Sequence, residues 1–276
     1  MIIWLLNHFA VWSLTAGTVG GSAILAVLGC LAIRRRFPGV AEGEHNELVG
    51  VLLGVFAAIY GVLLAFVIFI LWDDRVQAQD TVSAEATALS QIVFDARALP
   101  NPERATIVSS VDSYVHVVSG DEWNALRENR GPDPRATAAL DRLRASIAGY
   151  TPRNDAESAF YGDAVTDLSQ AATNRRDRLS VAESVGGNVG GNGPLTLLEL
   201  LLVGGAVVFV PLTYLFGHRS RLAHSLFVAI STALVALGLL LTVVLGQPFA
   251  GDLAVSPSPF HSGALAQFWT GGDSGH

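Results

Sequence analysis

Apolar residues along this chain crowd into four runs, arranged two and two around a polar middle. The runs are Val11–Ile33, Leu48–Trp72, Leu195–Phe216 and Leu222–Gly246, each 22 to 25 residues long. At about 1.5 Å of rise per residue, each is long enough as a helix to cross a hydrocarbon core of roughly 30 Å. Inside them the ionisable side chains are Cys30, Tyr60, Glu199, Tyr214 and His224. The pattern predicts an all-α integral membrane protein with four transmembrane helices in a two-plus-two arrangement. Residues 1–72 would hold the first pair of spans and 73–194 a helical extramembrane domain. Residues 195–246 would hold the second pair, and 247–276 a C-terminal tail.

Local signals mark where these elements stop. Arg34-Arg35-Arg36-Phe37-Pro38-Gly39 closes the first run with charge and then a turn. Trp72-Asp73-Asp74-Arg75 closes the second with an aromatic interface anchor followed by charge. From Arg75 to Leu99 there is no Gly or Pro, and Ala78, Val82, Ala86, Leu89, Val93 and Ala96 recur at helical spacing. The second run is therefore expected to leave the membrane as one rod of about 50 residues, roughly 75 Å long. A second middle helix carries Ile107, Val111, Tyr114, Val115 and Val118, with Gly120 as its expected end. A third carries Ala136, Leu140, Leu143 and Ile147. A fourth, from about Asp155 to Ser184, turns Phe160, Ala164, Leu168, Ala172, Leu179 and Ala182 inward. The glycine-rich stretch 186–193 reads as a joint before the third run. Gly17, Gly20, Gly21, Gly50 and Gly54 are expected at close helix contacts, and Pro211 is expected to kink the third run.

Charge changes the picture in two ways. The net charge is −7, and residues 73–192 carry 12 Arg against 18 Asp and Glu, or −6 of it. An acidic middle argues against nucleic acid as a partner and suits inorganic cations. All 17 basic residues are Arg, for which the sequence offers no structural reason. Arg34, Arg35, Arg36, Arg219 and Arg221 sit in the two short loops, whereas only Arg75 lies close in on the other side. The positive-inside rule then places the short loops in the cytoplasm and the middle outside, in a multi-pass protein of the cell (inner) membrane. The start of the chain, Met1 to Phe9, lacks the basic n-region of a secretory signal, so the first run reads as a retained span.

Chemical motifs are sparse. Cys30 is the one cysteine, so no disulfide framework exists. Glu42, Glu44, His45 and Glu47 have neither calcium-loop regularity nor paired-His zinc spacing. A helix entrance with Asn46 as N-cap accounts for them. His116, His218, His224 and His261 are scattered. The glycine-rich joint lacks the lysine of a P-loop, and no Gly-x-Ser-x-Gly elbow is present. The expectation is therefore no catalytic residue, no metal ligand, no cofactor and no enzymatic activity. Glu199, a carboxylate in the third run, is a candidate for a water-filled path or a headgroup-level position.

Several short pieces carry a family likeness. They are Glu44-His45-Asn46-Glu47-Leu48-Val49-Gly50, Tyr60-Gly61-Val62-Leu63-Leu64-Ala65-Phe66-Val67, Trp72, Glu85-Ala86, Glu122-Trp123, Arg178-Leu179, Pro248-Phe249-Ala250-Gly251 and Val255-Ser256-Pro257. In this order and spacing the chain resembles the bacterial bestrophin-like domain family, which stands near the bestrophin channels. The resemblance implies a homopentamer around a central pore lined by the second span, with the helical middle as a vestibule. It puts an apolar neck at Val62, Phe66 and Ile70, which would gate by dewetting. Asp73, Asp74 and Asp80 follow on the same rod and would form acidic rings that concentrate cations. The resemblance also implies a cytosolic middle and cytosolic termini, opposite to the charge count. Asp252 is a single acid where animal bestrophins have an acidic run that clasps calcium, so that site is not expected. The favoured function is a homo-oligomeric ion channel in the bilayer, weakly selective for cations. The alternative is a membrane-anchored sensor or scaffold whose helical domain binds a partner.

Overall fold

A computed structural model describes residues 2–37, 46–188, 194–218 and 220–270. Nine α-helices follow one another among them: α1 Ile2–His8, α2 Val11–Arg36, α3 Asn46–Asp95, α4 Glu103–Val117, α5 Trp123–Arg127, α6 Pro134–Ala148, α7 Asp155–Asn188, α8 Pro194–Tyr214 and α9 Arg221–Leu245. Short 3₁₀ turns, Ser258–His261 and Gly263–Phe268, complete the C-terminal part. No strand occurs among the described residues. Val11–Arg36, Asn46–Ala98 and Arg221–Leu245 are long and apolar enough to cross a membrane, and Leu200–Tyr214 is a shorter apolar stretch. The protein is therefore an all-helical membrane protein. The long rod is present: α3 runs 50 residues without interruption.

The chain divides into two compact units. The first, here the membrane unit, comprises Met1–Asp73, Gly187–Gln247 and Gly251–Leu253. Within it α2 packs along α9, with Ala26 and Cys30 against Val228. The first half of α3 lays Tyr60, Val67 and Leu71 against Leu202 and Phe209 of α8 and Val235 and Leu245 of α9. Two glycines permit this approach. A Cβ at Gly205 would come within 2.7 Å of the Tyr60 ring, and one at Gly238 would overlap the Leu64 side chain. The Tyr60 hydroxyl donates to the Leu202 carbonyl at 3.2 Å. Among the described residues of this one chain, Gly17, Gly20, Gly21 and Gly54 have no neighbour within 4 Å of a Cβ, so four of the five glycines expected at contacts make none within it. Contacts between apolar helices come from where the partner's large ring falls, and spacing within one helix carries no information about that.

The second, helical unit comprises Asp74–Gly186, Pro248–Ala250 and Ala254–His276. Its core takes Ala78, Val82, Leu89 and Ile92 from α3, Ile107, Val111 and Val115 from α4, and Leu143 and Ile147 from α6. Apart from Ile92, these are the inward positions that helical spacing predicts. The start of α6 follows ordinary capping chemistry: Asp133 accepts the Arg135 backbone N–H at 2.8 Å, and Pro134 occupies the first helical position. Phe249, Val255, Phe260 and Leu265 of the tail belong to the same core.

Two sequence expectations need correction. Gly120 does not end a helix. It lies inside a π-helical turn, Val118–Glu122, that joins α4 directly to α5. Asn46 does not act as an N-cap: its side-chain amide donates to the Gly217 carbonyl at 2.6 Å. The carboxylate of Asp252 accepts the backbone N–H of Val11 at 3.0 Å, at the first residue of α2. That single acid is used on a helix start. Of the acidic stretch before α3, Glu42, Glu44 and His45 lie outside the described residues.

Candidate functional site

The first feature is one side of α3. Leu48, Leu52, Val55, Ile59, Val62, Phe66 and Phe69 recur at alternating spacings of four and three, and every one is more than half exposed. The opposite side of the helix is spent on α8 and α9. An apolar strip seven residues long, left uncovered by its own chain, needs lipid or another copy to cover it. Val62 and Phe66 lie on this strip at 70% and 61% exposure. Ile70 is half-buried, and its neighbour Phe69 is exposed instead.

Beyond the apolar strip the exposed side of α3 becomes more polar. Asp73, Gln77, Asp80, Ala84, Thr87 and Gln91 are exposed there, alongside the apolar Val76 and Phe94. Asp74 is exposed as well. In the helical unit, Ser83, Thr87 and Ser90 line a groove of about 570 Å³ with Ser258, Pro259 and Ser262, and no charged side chain enters it. The Glu199 side chain lies outside the described residues. The sequence candidates on α3 are thus held on one rod.

The second feature was only half visible in the sequence. Glu85, Glu122, Trp123, Arg178 and Phe249 were markers of family likeness without a role. In the helical unit they meet. Arg178 donates from Nε to Glu85 Oε2 at 2.8 Å and from Nη2 to Glu122 Oε1 at 2.8 Å. Arg175 donates to both oxygens of Glu122 and to the Thr137 hydroxyl. The Tyr114 hydroxyl donates to Glu85 Oε1 at 2.7 Å. Glu85, Glu122 and Arg178 are fully buried and Arg175 nearly so. The Trp123 ring faces the Arg178 guanidinium at 5.5 Å and meets Phe249 edge-on at 5.6 Å.

Two carboxylates and two guanidiniums balance, which makes their burial tolerable. Burial works against the charge of Arg178, but Glu85 and Glu122 overcome it and raise the arginine above its ordinary basicity. Burial, followed by the adjacent Glu85 carboxylate, pushes the Tyr114 phenol well above its ordinary range. The π turn is what aims Glu122. Adding a residue to the turn rotates everything after Val117, so that Glu122 and Trp123 both come to face α7. On α7 the inward positions are Ala164, Leu168, Ala171, Arg175 and Arg178. Arginine at two positions of an otherwise apolar face was the signal that could have found the network from sequence. Tyr114 and Thr137 carried no such signal.

This arrangement fastens α3, α4, α6 and α7 by directional bonds that hold only one register. It contains no nucleophile–base pair, and among the described residues no group of His, Cys, Asp or Glu could hold a metal ion. What the fold and this geometry define is a class of all-helical membrane proteins whose longest helix passes from an apolar half into a polar one. The Bestrophin-like domain matches residues 20–260, and the chain belongs to that family. No curated protein and no solved structure matches it.

Proposed function

We propose that the protein is a homopentameric ion channel of four membrane crossings, with α3 lining the pore. The observation that carries this reading is the uncovered strip of α3. It is apolar over the length of a span, and the helix then carries the exposed acids Asp73, Asp74 and Asp80. Lipid alone accounts for the apolar half and leaves the exposed acids Asp73, Asp74 and Asp80 without a role. A water-filled axis along α3 accounts for both. Symmetry copies of Val62, Phe66 and Ile70 would form the dewetting neck. Rings of Asp73, Asp74 and Asp80 beyond it would favour cations. With its 21 residues α8 can supply the fourth crossing. The inner cell membrane is the proposed location, and Glu199 a proposed lining residue of the same path.

Purified protein in planar bilayers tests the proposal. The expected result is discrete conductance, a larger or leakier current for Phe66→Ala, and reduced cation preference for Asp73→Asn with Asp80→Asn. Silence from the wild type and from Phe66→Ala, in a preparation that is monomeric or dimeric, would instead favour an anchored scaffold.

A further inference from the structure

We propose that the end of the membrane unit where α2 stops and α9 starts binds the headgroup phosphate of an anionic phospholipid, with Arg34 as its anchoring cation. The last turn of α2 carries Arg34, Arg35 and Arg36. Arg221 opens α9, and His218 is exposed on the loop before it. The two helix ends are fastened together: Arg34 Nη1 donates to His224 Nδ1 at 2.9 Å. A guanidinium cannot accept, so Nδ1 is the acceptor and the ring proton is on Nε2. That nitrogen faces the Thr213 carbonyl at 3.3 Å. His224 is 1% exposed. A buried, neutral histidine therefore holds Arg34 in place through one N–H and leaves its charge uncancelled.

No carboxylate among the described residues pairs with Arg34, Arg35, Arg36 or Arg221. This sets them apart from the arginines of the helical unit that form ion pairs, such as Arg175 and Arg178. Glu47, near the start of α3, lies beside the same loop, since Asn46 bonds Gly217, yet it makes no ion pair with these arginines. The negative end of the α2 dipole accounts for a basic residue there. It does not account for spending a buried histidine on fixing where one of them points.

The surroundings identify the occupant. Leu25 and Leu28 on α2, with Leu222 and Leu226 on α9, are each more than half exposed just inside the basic end. Acyl chains would cover those leucines while the phosphate takes the guanidinium fork, whose planar donors match phosphate oxygens. A free phosphate would use the arginines and leave the leucines unexplained. The inference goes beyond the channel reading and needs no conductance to be tested.

The test is native mass spectrometry of the delipidated full chain, offered phosphatidylglycerol or phosphatidylcholine in the same detergent. The expected result is an excess retention of phosphatidylglycerol of about tenfold, reduced to about twofold or less in Arg34→Gln. The exposed pair Arg35→Gln with Arg36→Gln should reduce it part-way without touching the fold, so the test survives if Arg34→Gln fails to fold. Arg97→Gln, on the helical unit, should change nothing. Equal retention of the two lipids, or an undiminished preference in the arginine variants, would overturn the proposal. So would displacement of the lipid by inorganic phosphate alone.

Discussion

Leu89 and Leu234 are the same side chain on two helices of one chain, and they answer to opposite solvents. Leu89 is completely buried in the helical unit, while Leu234 on α9 is 69% exposed. The contrast holds throughout. In the membrane unit the large exposed apolar side chains include Trp12, Leu25, Val62, Leu200 and Leu222, whereas Thr213, His224, Thr232 and Thr242 are buried. In the helical unit the large exposed hydrophobics are only Val76, Phe94 and Val165 among the described residues. Water drives the helical unit to bury area. In hydrocarbon that drive vanishes, so the membrane unit is held by close approach at Gly205 and Gly238 and by polar contacts such as Tyr60 to Leu202. Specificity differs too. The helical unit fixes its register with buried charge, and the membrane unit with shape.

The sharpest way to break this comparison is at Arg178. Arg178→Met leaves Glu85 and Glu122 buried with one cation fewer, and should cost about 3–5 kcal/mol. Denaturant unfolding of the detergent-solubilised protein, followed by circular dichroism, would measure it. A loss below about 1 kcal/mol would mean the network is solvated and not the fastening described above. Next in size is the leucine pair. Leu89→Ala should cost about 2–5 kcal/mol, and Leu234→Ala within about 0.5 kcal/mol, by the same measurement. Similar costs would mean that Leu234 is covered by another copy of the chain.

A glycine pair probes shape inside the membrane unit. Gly205→Ala drives a methyl into the Tyr60 ring and should cost about 1–3 kcal/mol. Gly54→Ala, with nothing within 4 Å, should be close to neutral. Thermal inactivation in detergent reads both.

The smallest effect is a pH slope confined to the helical unit. Burial, then the neighbouring carboxylates of Asp167 and Asp163, pushes Asp95 up to about 6. Burial and Asp163 raise Asp167 as well. A raised carboxyl favours the protonated folded state. The stability it contributes is therefore full below the ordinary aspartate range of about 4 and is lost as pH rises through about 6. Unfolding midpoints should fall between about pH 4 and about pH 7 in the wild type, and Asp95→Asn should flatten that fall. An unchanged slope in Asp95→Asn would assign it to other groups.

How far could these features be read from the residues alone? The α3 rod could, because its inward alanines and leucines keep helical spacing from Ala78 to Ala96 with no Gly or Pro between. Val62, Phe66 and Ile70 could be named only through the family resemblance, with Asp73, Asp74 and Asp80 following them on the rod. Which side of the helix stays uncovered depends on where α8 and α9 pack, and spacing is silent on that. The π turn at Gly120 was misread as an end, since a glycine after a periodic segment usually marks one and a change of hydrogen-bond register leaves no period of its own.

The sequence by itself determined that the chain spans a membrane, is all helical, and extends its second span into a polar middle. Each of those follows from local composition and period, which act within one helix. Only the tertiary structure decided that Glu85, Glu122 and Arg178 form one buried network, that Asp252 is spent on the start of α2, and that Gly205 rather than Gly54 is the packing glycine. These are meetings between residues tens to hundreds of positions apart. They exist because charge and close-packed shape must be satisfied in three dimensions, and no single segment contains both partners.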